Sequence, residues 1–341
     1  MVRNRLGRLF ALAATALTLS ACSVIGIPDS PLNSLDPQGP FARRIDDLFW
    51  PVFWVAVAVF ALVEGGVLVA TLAFRDRPGR KEPRQVHGNT KLEILWTVIP
   101  VAILASIAVP TVQGVLDLTE CGEGSYTVEV IGHQWWFEYR YPEANGVTTA
   151  NVMVIPAGRE VCAQMTSDDV VHNFWVPTLN GKRYLVPGQT TSLRLQADEP
   201  GLYQGQCAEF CGLSHSLMKA QVRSVPEAEF QEWLAHQAEP APEPVESDPA
   251  YEGYQVFLGR CVQCHTIRPF NEIAPDLFNG PDLTHFMDRG VIAGAYKDYS
   301  RENLAAWLAN PPKEKPGSFM PDLALTQQEI DALIVFLETL Q

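Results

Sequence analysis

Residues 207–218 read Cys207-Ala-Glu-Phe-Cys211-Gly-Leu-Ser-His215-Ser-Leu-Met218, so two thiols, an imidazole and a thioether share one short stretch. A further histidine, His172, lies upstream. Two thiolates at this spacing on a loop can point into one pocket, and the same loop can wrap around it. Sulfur and imidazole with a weak thioether suit copper in electron transfer, whereas zinc favours four strong ligands and has no use for methionine. The stretch therefore predicts a copper site, with a disulfide or a structural zinc as the alternatives.

This stretch and the upstream histidine resemble the dinuclear CuA site of cytochrome c oxidase subunit II. Six positions carry the resemblance, in the pattern His172, then Cys207-x-Glu209-x-Cys211-x-x-x-His215-x-x-Met218. The resemblance implies that the two cysteines bridge two coppers and that the two histidines are terminal ligands. It makes Met218 and the backbone carbonyl of Glu209 weak ligands. It also makes the Glu209 side chain a candidate ligand of Mg or Mn at the boundary with subunit I.

Charge is distributed unevenly along the 341 residues, a length that predicts more than one domain. Residues 1–116 hold 11 basic and 8 acidic residues, and residues 117–341 hold 14 basic and 31 acidic residues. An acidic C-terminal two-thirds argues against nucleic-acid binding. It suits a basic protein partner, whose approach it would steer.

The N-terminal segment, residues 1–22, has a basic start and an apolar run that is short for a membrane span. It predicts a secretion signal. Leu19-Ser20-Ala21-Cys22 resembles a bacterial lipoprotein cleavage box, which would make Cys22 the lipidated N-terminus; an ordinary signal peptide is the alternative. Residues 23–47 have no clear period and predict an extracytoplasmic lead-in.

Two apolar stretches, residues 48–74 and 92–116, are each long enough to cross a bilayer and predict a transmembrane hairpin over 48–116. The loop between them, 75–84, is basic, so the positive-inside rule places it in the cytoplasm. Everything after residue 117 is then expected on the extracytoplasmic side of the membrane.

Glu93 is an ionisable group near the start of the second span, where a carboxylate is costly unless it faces protein or water. The surrounding sequence looks like the start of the second helix in the family, where a glutamate lies at the mouth of a proton pathway in subunit I. A glutamate that only reaches the membrane interface is the alternative.

From Tyr126 onward the chain changes to short alternating runs separated by turn signals such as Asn145-Gly146 and Pro187-Gly188. This pattern predicts a small all-β sandwich or barrel, and the resemblance makes it a cupredoxin-like domain over 117–235. An aromatic cluster follows Gly132, and aromatic clusters usually pack in cores. In the family a similar stretch lies beside CuA, so Trp135 and Trp136 are candidates for the route by which electrons enter, Trp136 less clearly.

Cys121 and Cys162 are predicted to lie outside the membrane, where they either form a disulfide or remain separate thiols. Residues 236–250 alternate proline and acid, which predicts a semi-rigid extended linker and a domain boundary.

The C-terminal domain, 251–341, opens with a helix and Cys261-Val-Gln-Cys264-His265, a signature of c-type haem attachment in which the histidine ligates iron. Met320, on a Pro/Gly-rich loop, is the predicted second axial ligand, with Met287 as its rival and His285 as a weaker one. The last helix begins with a capping box at 326–329. This arrangement resembles class I cytochrome c, an all-α domain that some bacterial oxidases fuse to subunit II.

The expectation is a multidomain membrane protein of the bacterial cell membrane, with a two-helix transmembrane hairpin, a cupredoxin-like all-β sandwich and an all-α cytochrome c domain. The resemblance implies that an external donor, cytochrome c or a cytochrome bc-type complex, reduces haem c, then CuA, then haem a in subunit I. It implies subunits I and III as partners, with oxygen reduced in subunit I. A quinol oxidase subunit would lack the copper ligands. A nitric oxide reductase subunit and a free-standing electron carrier or copper-delivery protein are further alternatives.

Overall fold

The computed structural model describes residues 30–75, 78–79, 85, 87–271 and 280–341. The predicted signal segment, its Cys22 and most of the basic loop 75–84 lie outside the described residues.

Two long apolar helices form the membrane hairpin, α1 (Pro40–Ala73) and α2 (Thr90–Thr119). Both extend beyond the predicted spans, and α1 begins early because Pro40 stands in its first turn, where a missing N–H costs nothing. Each is long and apolar enough to cross a membrane. The helices meet where the end of the Leu48 side chain packs against Gly114, so that a side chain on the glycine would require Leu48 to move. Most of their remaining surface is exposed, as expected of helices that face lipid or other subunits.

The β domain is a sandwich of two five-stranded sheets, as the turn spacing predicts. The strands are β1 (Tyr126–His133), β2 (Trp136–Tyr141), β3 (Val147–Ala150), β4 (Val152–Pro156), β5 (Val161–Ser167), β6 (His172–Trp175), β7 (Arg183–Leu185), β8 (Thr191–Leu195), β9 (Gly201–Cys207) and β10 (Lys219–Val225). One sheet has the order β3-β2-β1-β5-β8 and the other β4-β10-β9-β6-β7. The pairs β1–β5 and β4–β10 are parallel and the other pairs are antiparallel.

Buried aromatic and aliphatic side chains fill the space between the sheets, with Phe137, Tyr139 and Tyr141 of β2 fully buried. Helix α3 (Glu227–Ala238) closes one side of the sandwich, and its Phe230 packs edge-on to Tyr126 with ring centroids 5.2 Å apart. The core therefore gives the loop of residues 207–218, between β9 and β10, a rigid scaffold.

The hairpin and the β domain are joined by a polar junction. Arg194 donates to the carbonyl of Asp117 at 2.6 Å and lies over the ring of Phe41 at 4.5 Å. Arg43 pairs with Asp198. A disulfide joins Cys121 to Cys162, with Cα atoms 5.5 Å apart, so the structure takes one of the two alternatives left open by the sequence.

The C-terminal domain packs helices α4 (Tyr251–Arg260) and α7 (Gln327–Leu337) against each other, with Gly253 of α4 close to the backbone of Ala332. Between them lie a short hairpin, β11 (Val291–Ile292) and β12 (Lys297–Asp298), and helices α5 (Arg301–Ala309) and α6 (Pro311–Glu314). The predicted capping box is present at the start of α7.

The segment predicted as a semi-rigid extended linker, 236–250, is partly helical and contacts the C-terminal domain. Helix α3 continues to Ala238, so the first linker residues are helical. Beyond it, the amide of Ala241 donates to the carbonyl of Arg268 at 2.7 Å, and Tyr254 donates to Glu243 at 2.8 Å. These two contacts hold parts of the linker against the C-terminal domain.

Candidate redox centres

The first centre is built where β6 begins and β9 ends. His172 is the first residue of β6 and Cys207 the last of β9, and these strands pair with each other. The chain then loops through Cys211 and a 3₁₀ helix that starts at His215, and returns at Met218 into β10. Strand pairing thus brings a distant histidine to a loop that already carries the other side chains.

All six sequence-predicted copper residues converge at this point. The Sγ atoms of Cys207 and Cys211 are 3.7 Å apart. The remaining contacts are Cys207 Sγ to His172 Nδ1 at 3.9 Å, Cys207 Sγ to the Glu209 carbonyl oxygen at 3.2 Å, Cys211 Sγ to His215 Nδ1 at 3.6 Å and Cys211 Sγ to Met218 Sδ at 3.9 Å. The two thiols are free, so the alternative of a disulfide between them is not the one that the structure adopts. Two thiols between two imidazoles, with a thioether and a carbonyl alongside, form a donor set that fits copper.

Asp169 orients the upstream histidine. Its Oδ1 lies 2.8 Å from His172 Nε2, which leaves Nδ1 facing Cys207. A carboxylate on the second ring nitrogen fixes the orientation of a metal-binding imidazole. Burial alone would raise the pKa of the Asp169 carboxyl, but hydrogen bonds from His172, Val170 and Gln134 outweigh burial and lower that pKa.

The two thiols influence each other's ionisation. The hydrogen bond from Cys211 lowers the pKa of Cys207 well below its ordinary value, and the same contact together with burial raises the pKa of Cys211 well above its ordinary value. Cysteine binds a metal as the thiolate, so a metal held by both sulfurs would displace any proton that they carry.

The second centre is a cavity of about 690 Å³ that is lined mostly by the C-terminal domain and, on one side, by β-domain residues that include Trp135 and Asp169. Cys261 follows the end of α4, and Cys264 and His265 come within the next turn; all three line the cavity. His265 Nδ1 lies 2.9 Å from the carbonyl oxygen of Pro281, which leaves Nε2 as the nitrogen available to a metal. Two thiols and an imidazole at the wall of a largely apolar cavity fit a covalently attached haem.

Met320 also lines this cavity, whereas its rival Met287 lies on a 3₁₀ helix and is not among the described residues that line it. The ring nitrogens of His285 lie 2.7 Å from the carbonyl of Gln341 and 3.0 Å from that of Glu239. The geometry therefore favours Met320 over both alternatives.

Comparison with known proteins gives matches along nearly the whole chain. Residues 31–113 match the transmembrane domain of cytochrome c oxidase subunit II, residues 143–225 its periplasmic domain, and residues 250–341 cytochrome c. Cytochrome c oxidase subunit 2 of Alkalihalophilus pseudofirmus is 37% identical over 345 residues, which cover 98% of this chain and 97% of that protein. The chain belongs to the cytochrome c oxidase subunit II family.

Two further relatives extend the comparison. Cytochrome c oxidase subunit 2 of Bacillus sp. PS3 is 36% identical over 79% of this chain and 80% of its own length. Quinol oxidase subunit 2 of Bacillus cereus is 33% identical over 69% of this chain and 82% of its own length. Among solved structures, the periplasmic domain of subunit II from Bradyrhizobium japonicum is 27% identical over 35% of this chain and 96% of that chain, with a TM-score of 0.34.

As a member of this family, the protein is a subunit of a haem–copper oxidase, an oxidoreductase, and it assembles with other oxidase subunits in a membrane. The expectations of the family, of the three-part fold and of the enzyme class are confirmed. The subunit II family implies copper, and the cytochrome c family matched by the C-terminal domain implies haem.

Trp135 lies between the two centres of this subunit II. It lines the cavity between the two domains, and its Nε1 donates to the carbonyl oxygen of Cys211 at 3.0 Å. Its ring is parallel to that of Phe319, with centroids 6.3 Å apart. Trp136 also lines the cavity but stacks on His133 at 4.3 Å, while Phe137 is buried in the sandwich core.

Glu93 stands in the first turn of α2, at the end of the hairpin that carries the basic loop. Its Oε1 accepts a hydrogen bond from the amide of Asn89 at 3.2 Å, so the carboxylate also caps the helix. This local role was not part of the sequence-based expectation.

Sequence reasoning missed three residues at the centres: Asp169, Phe319 and Lys315. Asp169 stands three residues before His172, and that spacing was the available signal. Phe319 adjoins Met320 in sequence. Lys315 has no sequence signal at all, because its position follows from how two distant parts of the chain pack.

Proposed function

We propose that this chain is the electron-input subunit of an aerobic respiratory cytochrome c oxidase. It would accept electrons from an external donor at haem c, pass them to dinuclear CuA and deliver them to haem a in subunit I. The observation that supports this order is the position of Trp135, which borders the cavity shared with His265 and Met320 and hydrogen-bonds to Cys211.

The residues divide this work between two binding sites. Cys261 and Cys264 would attach haem covalently, and His265 and Met320 would hold its iron. Copper would be held by the loop residues described above, with His172 as the ligand from outside the loop. When bound, each group accepts and releases one electron at a time. Burial of Cys207, Cys211, His172 and Met218 keeps water from the copper side, and Asp169 holds His172 in its orientation.

Other assignments extend this proposal to the complex. Glu93 would lie at the mouth of a proton pathway in subunit I and so support proton translocation. The Glu209 side chain would contribute to a Mg or Mn site at the boundary with subunit I. Cys22 would carry a lipid, and the β and cytochrome domains would lie on the extracytoplasmic side of a bacterial cell membrane.

The proposed partners follow from the same assignments. They are subunits I and III, together with cytochrome c or a cytochrome bc-type complex as donor. The acidic balance of residues 117–341 suits a basic donor surface.

The order of electron flow can be tested on the purified oxidase complex by anaerobic stopped-flow mixing with a reduced donor. We expect the haem c bands to change first and the near-infrared copper band to follow. Trp135→Phe should delay the copper band, whereas Trp136→Phe, the matched control on the neighbouring ring, should delay it less. Reduction of copper before haem c would contradict the proposal.

A further inference from the structure

Lys315 is a buried lysine at the boundary between the two redox domains. It follows helix α6, and only 3% of its surface is exposed. Its Nζ donates to the carbonyl oxygen of Trp135 at 2.5 Å and to that of Ala293 at 2.7 Å. Lysine is almost never fully buried without a partner, and here the partners are backbone carbonyls from two different domains.

The burial of this amine is costly and is offset locally. Burial lowers the pKa of Lys315 to about 7, which reflects how far the group is removed from water. The two hydrogen bonds offset part of that cost, because they replace hydrogen bonds to water that the amine loses on burial. They also give the two carbonyl oxygens a partner. Both the ammonium and the neutral amine have N–H groups to donate, so the bridge does not depend on the charge.

The surrounding backbone is shaped for close approach to Trp135. Gly294 and Gly317 have φ values of +74° and +81°, a region that favours glycine, and a side chain at either would collide with Trp135. Two further hydrogen bonds cross the same boundary, from the amide of Lys219 to the carbonyl of Gly294 at 3.1 Å and from Ser214 Oγ to the carbonyl of Pro316 at 2.6 Å. Lys315 is therefore the buried centre of a contact that surrounds the proposed electron route.

We propose that Lys315 is a positioning residue for electron transfer between the haem and copper sites. Its amine joins the loop that leads to Met320 to the backbone of Trp135 and so fixes the separation of the two sites. The rate of electron transfer falls steeply with separation, so a loosened junction gives a slower and less uniform rate. This inference rests on the proposed function, in which one electron leaves haem c and reduces copper.

The test compares two substitutions in the purified oxidase complex. Lys315→Met removes the donor and keeps an unbranched side chain of similar length. Lys313→Met makes the same substitution two residues earlier at an exposed position and is the matched control. The first readout is hydrogen exchange of the Lys219 amide, which reports the contact between the domains directly. The second is the rate of copper reduction after flash reduction of haem c, measured together with both midpoint potentials.

We expect Lys315→Met to speed exchange at Lys219 and to slow copper reduction several-fold, in more than one phase, at an unchanged difference in potential. Lys313→Met should leave both readouts as in the parent. If Lys315→Met does not retain haem, Lys315→Gln, which keeps an N–H donor, carries the test with a smaller change in the same direction. Parent-like exchange and rate in the Lys315 variants would overturn the inference. Absence of electron transfer from haem c to copper in the parent itself would instead overturn the proposed function.

Discussion

Trp135 Nε1 donates a hydrogen bond to the carbonyl oxygen of Cys211 at 3.0 Å, and Gln134 Nε2 donates to the same oxygen at 2.6 Å. The Trp135 ring is also parallel to that of Phe319, the residue before Met320, with ring centroids 6.3 Å apart. One aromatic ring therefore connects a candidate copper ligand with the neighbour of a candidate haem ligand. This relationship gives the two candidate sites a shared boundary.

Cys207→Ser should abolish the near-infrared absorption and the delocalised copper EPR signal of the oxidase. A hydroxyl cannot bridge two coppers as a thiolate does, and Cys207 is the sulfur that lies near His172, Glu209 and Cys211. The haem c spectrum is the internal control and should be unchanged. Survival of both copper signals would mean that the assigned site is wrong.

Met320→Ala should leave haem covalently attached but remove the weak sulfur-to-iron band of the oxidised protein. The reason is that Cys261 and Cys264 retain the haem while the cavity loses its methionine. Met287→Ala is the matched control and should keep the band. An optical spectrum of each oxidised variant decides between the two methionines, and loss of the band only in Met287→Ala would reverse the assignment.

Glu93→Gln should lower steady-state oxygen consumption several-fold while the donor still reduces haem c and copper at the parent rate. Glutamine can still accept the hydrogen bond from the Asn89 amide, so the helix cap is retained and only the ionisable group is lost. Glu64→Gln, which removes another carboxylate from the spans, is the control. Unchanged oxygen consumption in Glu93→Gln would leave only the capping role.

Tyr141→Phe should destabilise the β domain by about 1–3 kcal/mol, because a buried amide then loses its partner. The Tyr141 hydroxyl accepts from the amide of Val154 at 2.8 Å and donates to its carbonyl at 2.9 Å. Tyr139→Phe on the same strand is the control, since its buried hydroxyl has no hydrogen-bond partner among the described residues. Thermal unfolding should show a lower Tm for Tyr141→Phe than for Tyr139→Phe, and equal values would contradict the assignment.

Which residues come together at each candidate centre could be predicted because most of them are close in sequence. Cys207 to Met218 form one loop, and Cys261 to His265 form one turn, so spacing alone brings the donors together. His172 came from the family resemblance, and the pairing of β6 with β9 explains its position. The length of the two apolar stretches was likewise enough to predict the hairpin, although α1 begins at Pro40, well before the predicted span.

Features that depend on distant packing could not be predicted. The Cys121–Cys162 disulfide requires the chain before β1 to lie beside β5, which the parallel pairing of those strands provides. The composition of residues 236–250 predicted a linker but not its contacts with Arg268 and Tyr254. The bridge from Lys315 to Trp135 joins residues 180 positions apart, and local pattern contains no information about such a contact.

The central claim is that haem c and CuA exchange electrons within one chain whose two redox domains are already in contact. Flash-induced injection of an electron into haem c, followed by the copper band at low and high ionic strength, measures that step directly. We predict a rate that hardly changes with salt, because the contact at Trp135 is internal and needs no diffusional encounter. The encounter with the external donor should slow with salt, because exposed charges are screened. A steep salt dependence of the internal step would contradict the account and would mean that the cytochrome domain docks only transiently through charge.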